Sequence, residues 1–186
     1  MKNPVESLLE DDHASLGQLL TELDAELSKP DIARAFELLD LFWARLAVHI
    51  RAENLQLFPA IADAAPSLFT GKGSLPAFEE AHRLLARLRS DHHFFMTELA
   101  LMIKVMREMT GRQLVRVEEA GDLRQRLTTI AKRLEAHNLL EEKRIYTWPA
   151  LLFDQQELAA LRARISHELE NLPARFAKNI KVEFER

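Results

Sequence analysis

Apolar positions recur at spacings of three and four over long stretches of the chain, and prolines and glycines separate the stretches. Asn3, Pro4 and Glu6 read as an N-cap, a first-turn proline and an acidic third position. They predict a first helix running to about Ser28, where Lys29 and Pro30 end it. A second helical pattern starts near Asp31 and continues to Pro59, which ends or kinks it. Pro66 and the run Gly71, Lys72, Gly73 mark a connection. A third long helix then opens near Leu75 or Pro76 and closes at Thr110 and Gly111. The fourth is expected to open at Gly121 and Asp122, with Gln125 placed to complete a cap, and to reach about Pro149. Asp154 and Glu157 signal a further cap, introducing a shorter fifth helix to about Asn171. No stretch alternates with period two for long enough to make a strand. The expectation is an all-α fold, an up-down four-helix bundle over residues 1–150. Residues 151–186 are expected to add a C-terminal helix and tail packed on the same domain.

The second and fourth helices repeat one pattern when aligned on His49 and His137. Ten residues earlier lie Leu39 and Leu127, seven earlier Phe42 and Ile130, three earlier Leu46 and Leu134. Four residues later come Glu53 and Glu141, and eight later Leu57 and Ile145. At about 100° per residue these positions form a stripe covering roughly a third of the helix circumference or less. Each His and each Glu therefore sits in the middle of an apolar face. The first and third helices match in the same way on His13 and His92: Leu9 with Leu88, Leu16 with Phe95, Leu20 with Leu99, Leu23 with Met102 and Leu27 with Met106. The chain reads as a duplicated helix pair, His followed by His-x-x-x-Glu.

A carboxylate buried without a partner costs several kcal/mol or becomes protonated. A pair of metal cations would satisfy two buried Glu and four buried His together, since imidazole suits Fe, Zn and Cu and a carboxylate can bridge two ions. Residues four apart on a helix project to the same side, so one helix can supply both an imidazole and a carboxylate.

Composition narrows the chemistry. There is no cysteine, which removes thiolate catalysis, disulfides, iron–sulfur ligation and Cys-type zinc sites. Any metal must be held by His and carboxylates. The net charge of -4 gives no footprint for nucleic acid or an anionic membrane surface. No apolar run approaches the roughly 20 residues that span a bilayer, and the N-terminus lacks the apolar core of a signal peptide, so a cytoplasmic location is expected. At 186 residues one domain with a sizeable core is expected, and homo-oligomerisation is left open.

At these residues the chain resembles the hemerythrin-like, or HHE cation-binding, family. The matching segments are Asp-Asp-His-Ala-Ser-Leu-Gly-Gln-Leu-Leu around His13, and His-Ile-Arg-Ala-Glu-Asn-Leu-Gln-Leu-Phe-Pro from His49 to Pro59. The others are Ser-Asp-His-His-Phe-Phe around His92 and His-Asn-Leu-Leu-Glu-Glu-Lys-Arg-Ile-Tyr from His137 to Tyr146. The resemblance covers about residues 5 to 150. It implies a bundle holding two non-haem Fe ions, carboxylate-bridged and oxo- or hydroxo-bridged, that binds or reacts with O2, NO or peroxide. Carried onto this chain, the ligands are His13, His49, Glu53, His92, His137 and Glu141, with the two Glu bridging. The chain departs from oxygen-carrying hemerythrins, which have His-x-x-x-His on the third helix where Met96 and Thr97 stand here. Its set of four His and two Glu is similar to that of bacterial iron–sulfur-cluster repair di-iron proteins. Those carry a cysteine-containing N-terminal domain that this chain lacks.

Several residues have competing readings. On the third helix His92 gives the best core register, His93 the second and His82 the third. His93 and His167 read as surface residues and Glu142 as solvated. Tyr146 and Trp148 read as packing residues with their polar ends satisfied elsewhere, although their position after Glu141 allows them to line the site. Two rival functions are kept. A ferritin-like iron-handling site would use Glu10 with His13 and Glu79 with His82 at Glu-x-x-His spacing. A metal-free helical interaction module would use the histidines for internal hydrogen bonds.

Overall fold

The chain enters its first helix through Asn3. The Asn3 Oδ1 accepts the N–H groups of Val5 and Glu6, both at 3.0 Å, and the Glu6 carboxylate accepts the N–H of Asn3 at 3.0 Å. This capping box and the proline behind it start helix α1, Pro4–Glu26. The computed structural model describes residues 2–29, 32–71, 75–110 and 117–176. Within these the chain is helical, with one isolated β-bridge pairing Thr70 with Ala77. Pro30, Asp31, Lys72, Gly73, Gly111 and the tail beyond Phe176, all invoked by the sequence patterns, lie outside the described residues.

Helix α2, Ala33–Ala52, does not stop at Pro59. It passes into a π-helical turn, Glu53–Leu57, and then into α3, Phe58–Ala62. In the widened turn the N–H of Phe58 reaches back five residues to the carbonyl of Glu53. Pro59 thereby enters at the first turn of α3, where its missing N–H costs nothing. Helix α4 runs from Phe78 to Thr110. Helix α5 runs from Val117 to Lys143, so the cap expected at Gly121 and Asp122 lies inside it. Both residues face solvent, and a Cβ at Gly121 would meet nothing within 4 Å. An exposed helical glycine costs about 1 kcal/mol, which the buried Leu123 and Leu127 outweigh. The fourth helix also stops short of Pro149. The chain breaks at Arg144, makes a 3-10 turn over Ile145–Thr147 and resumes in α6, Pro149–Leu152. Helix α7, Gln155–Glu170, begins at Asp154 with the expected capping box to Glu157.

Two apolar clusters lie on either side of the histidine level. One takes Leu16, Leu19, Leu23 and Leu27 from α1, α2 residues between Ala35 and Ile50, residues after His92 from α4, and Leu123 to Leu134 from α5. The other takes Val5 and Leu9 from α1, residues beyond His49, residues before His92, and Ile145, Tyr146 and Trp148 after α5. Each long helix therefore crosses from one cluster to the other, in alternating direction: an up-down four-helix bundle. Leu158, Leu161 and Ile165 join α7 to the second cluster, and Arg51 anchors it by donating to Glu168 at 2.7 Å. No described helix is long and apolar enough to cross a membrane. Between the clusters runs a thin polar layer.

Candidate metal centre

Each long helix places one histidine in this layer. His13, His49, His92 and His137 are 2 to 6% exposed, and Glu53 and Glu141 are wholly buried. The imidazoles meet in pairs through their Nε2 atoms. His13 lies 3.0 Å from His49, and His92 lies 3.1 Å from His137. Both carboxylates reach both pairs. Glu53 Oε2 is 3.6 Å from His49 Nε2 and 3.2 Å from His92 Nε2. Glu141 Oε2 is 3.5 Å from His13 Nε2, and its Oε1 is 3.1 Å from His137 Nε2. Two donor groups result: His13, His49, Glu53 and Glu141, and Glu53, His92, His137 and Glu141, each with ligand atoms within 4.8 Å of one another. The two glutamates belong to both.

The Nδ1 atoms face outward, each to its own acceptor. His49 donates to Asp12 at 2.8 Å and His13 to Glu142 at 2.9 Å. His137 faces Asp91 at 3.4 Å and His92 faces Asn54 at 3.3 Å. The aspartates are held in turn: Arg45 donates to Asp12 at 3.0 Å, and Arg133 donates twice to Asp91, at 2.9 and 2.6 Å. Such contacts orient an imidazole and fix which nitrogen is free to bind. Phe58 stacks on His92 at 5.6 Å between centroids, and Phe95 stands edge-on to His137 at 5.3 Å. The ring planes of His92 and His137 are therefore constrained by packing as well as by hydrogen bonding.

The donor set fits a cation. Glu53 Oε2 and Glu141 Oε1 are buried without a hydrogen-bond partner, although imidazole nitrogens lie close to both. Orphaned carboxylate oxygens converging with Nε2 atoms are the arrangement that metal ligation satisfies. Without a cation, protons take up the charge. Burial opposes charging His13, but hydrogen bonding and charge from Glu141 and Glu53, with Glu142 behind, raise it to about 9. The same balance of burial against Glu141 and Glu53 raises His92 to about 9. Burial also disfavours the Glu141 carboxylate, yet His13, His137 and His92 hold it well below the ordinary range. Asp12 is drawn down in spite of burial by His49 and Arg45.

Tyr146 was expected to point elsewhere. Instead the turn after α5 carries its hydroxyl into the centre, where it donates to Glu53 Oε1 at 2.7 Å, with His13 Nε2 at 3.0 Å and Glu141 Oε2 at 3.3 Å. Burial and the two glutamates push its ionisation well above 10. Its backbone carbonyl accepts from Asn3 Nδ2 at 2.8 Å, so the α1 cap fixes the turn. Trp148 is packing, but its buried Nε1 has no partner among the described residues. Glu142 is not simply solvated, since it accepts from His13. His93 and His167 are exposed, and His82 packs against Phe78 outside both donor groups. Glu10 pairs with Lys2 at the surface and Glu79 is exposed, so the Glu-x-x-His pattern brings no carboxylate inward.

Asp12, Asp91, Arg45 and Arg133 went unread in the sequence, though the repeat contains them. An Asp precedes His13 and His92, and an Arg stands four before His49 and His137. Extending the repeat register by these positions would have found them.

Comparison with curated proteins and with solved structures finds no match. The model of the hemerythrin HHE cation-binding domain matches residues 5–148, a span that contains every donor in both groups. By that match the chain belongs to the hemerythrin HHE cation-binding domain family.

Proposed function

We propose that this chain is a non-haem di-iron protein that binds or reacts with O2, NO or peroxide. One observation carries the reading: two donor groups share Glu53 and Glu141, whose inward oxygens have no hydrogen-bond partner in the protein. In it His13 and His49 would hold one ion and His92 and His137 the other, with Glu53 and Glu141 available to both. Iron held there would supply redox change and a place to bind a small ligand.

The protein's own part is to build the space. Apolar clusters pack above and below the polar layer. Asp12 and Asp91, held by Arg45 and Arg133, keep the imidazole Nε2 atoms turned inward. Among the described residues Tyr146 is the hydroxyl in contact with both Glu53 and Glu141. In the metal-free protein burial and the two glutamates keep its proton on the oxygen, so it donates a hydrogen bond to Glu53.

Metal analysis of protein produced with added iron tests this reading. About two irons per chain are expected from the two donor groups, and a protein without metal would sink it. Stopped-flow spectroscopy of the reduced protein with O2, NO and H2O2 then separates binding from turnover. A stable oxygenated band indicates a carrier or sensor, and rapid loss of H2O2 indicates a scavenger.

A further inference from the structure

The two halves of the centre are copies of one pattern, and among their differences is the residue that bonds the first His of each. In both, the residue before the first His bonds the second His: Asp12 to His49, and Asp91 to His137. In both, the residue after the Glu of one half bonds the first His of the other. After Glu141 that residue is Glu142, on His13, and after Glu53 it is Asn54, on His92. One copy thus presents a carboxylate to its imidazole N–H, and the other presents a neutral amide.

We infer that the two cation positions are inequivalent, and that the one between His13 and His49 binds the more tightly and favours the more highly charged ion. This rests on the di-metal reading above. A carboxylate on Nδ1–H makes the imidazole a stronger donor at Nε2 than an amide does. The distances run the same way: 2.9 and 2.8 Å on His13 and His49, against 3.3 and 3.4 Å on His92 and His137. So does the surrounding charge. Asp12 takes one bond from Arg45, whose other nitrogen donates to Ser15, whereas Asp91 takes two from Arg133. The His13 half has two carboxylates against one guanidinium, and the His92 half has one against one. Glu142 is 34% exposed, which screens its charge without removing its direct bond to the ring. Lys2, on the same groove between α1 and α5, is bonded to Glu10.

The test is cation affinity, read by calorimetry and by the visible absorption of Co(II), on metal-free full-length protein. Repulsion between two ions separates two binding steps even in a symmetric site, so half-site variants carry the comparison. The variant His92→Ala with His137→Ala keeps the His13 half, and His13→Ala with His49→Ala keeps the other. The first is expected to bind one Co(II) about 10-fold or more tightly than the second. Adding Glu142→Gln to the first should remove that advantage, and adding Asn54→Asp to the second should create it. Because Asn54→Asp is a gain, loss of folding cannot imitate it, and circular dichroism confirms helix content in each variant. Equal affinities in the two half-sites, or variants at 142 and 54 that leave affinity unchanged, overturn the inference. If the unmodified protein takes up no Co(II) and no iron, the di-metal reading itself fails; two ions held in equivalent halves overturn only the inequivalence.

Discussion

Asp12 Oδ2 accepts a 2.8 Å hydrogen bond from His49 Nδ1. The bond ties α1 to α2 at the level of the centre and leaves His49 Nε2 facing inward. Replacing Asp12 with Asn turns a charge-assisted bond into a neutral one and frees the Arg45 guanidinium that Asp12 holds. Loss of such a supporting contact typically costs about 10- to 100-fold in metal affinity. Asp12→Asn is expected to lose iron to a competing chelator by a factor in that range, at unchanged helix content.

The four histidines and two glutamates are not interchangeable with the acidic residues outside the layer. His49→Ala with His137→Ala takes one donor from each group and should abolish metal binding. Glu10→Ala with Glu79→Ala should leave binding intact, because Glu10 is engaged with Lys2 and Glu79 is exposed. Metal content after gel filtration distinguishes the two, and the reverse pattern would restore the ferritin-like arrangement.

Tyr146→Phe removes the hydroxyl that satisfies Glu53 Oε1. In metal-free protein this leaves a buried carboxylate oxygen without its donor, a loss of about 1–3 kcal/mol. A lower unfolding midpoint in calorimetry is expected. Iron content should persist, since the tyrosine is not one of the grouped donors. The spectrum or rates with NO and H2O2 should change, as Glu53 and Glu141 lose their hydrogen bond.

The metal-free protein should lose stability in alkali. His13 and His92 are raised from 6.5 to about 9 in the folded state. Their stabilisation is fully present below about pH 6.5 and is lost as pH rises through about 9. Glu141 is depressed, so its stabilisation is present above about pH 4.5 and is lost as pH falls below that. Differential scanning calorimetry with chelator should show the midpoint falling between about pH 6.5 and 9. With metal bound the cation replaces the protons, and that slope should flatten.

Asn3→Ala removes the α1 cap and the hydrogen bond to the Tyr146 carbonyl together. Loss of an N-cap alone costs about 1 kcal/mol. The expected readout is a lowered midpoint together with faster amide exchange in α1 and around Tyr146. A change confined to α1 would show that the turn is held without Asn3.

The apolar period set the four long helices, and the same period set the inward faces of Leu16, Phe42, Phe95 and Ile130, all buried. Burial of His13, His49, His92, His137, Glu53 and Glu141 was legible for the same reason: a polar residue on an apolar stripe shares its direction. Helix ends were less legible. Periodicity does not register a π turn that absorbs Pro59, nor packing that carries α5 through Gly121.

What the sequence determined by itself was direction, because residue spacing on a helix fixes which side chains point the same way. What only the tertiary structure decided was distance. The approach of His13 to His49, the sharing of Glu53 and Glu141, and the entry of Tyr146 depend on how helices far apart in sequence pack. So does the assignment of Glu142 and Asn54 to opposite histidines, because each reaches across to a ring on another helix. Spacing along one helix holds no record of its neighbour's position.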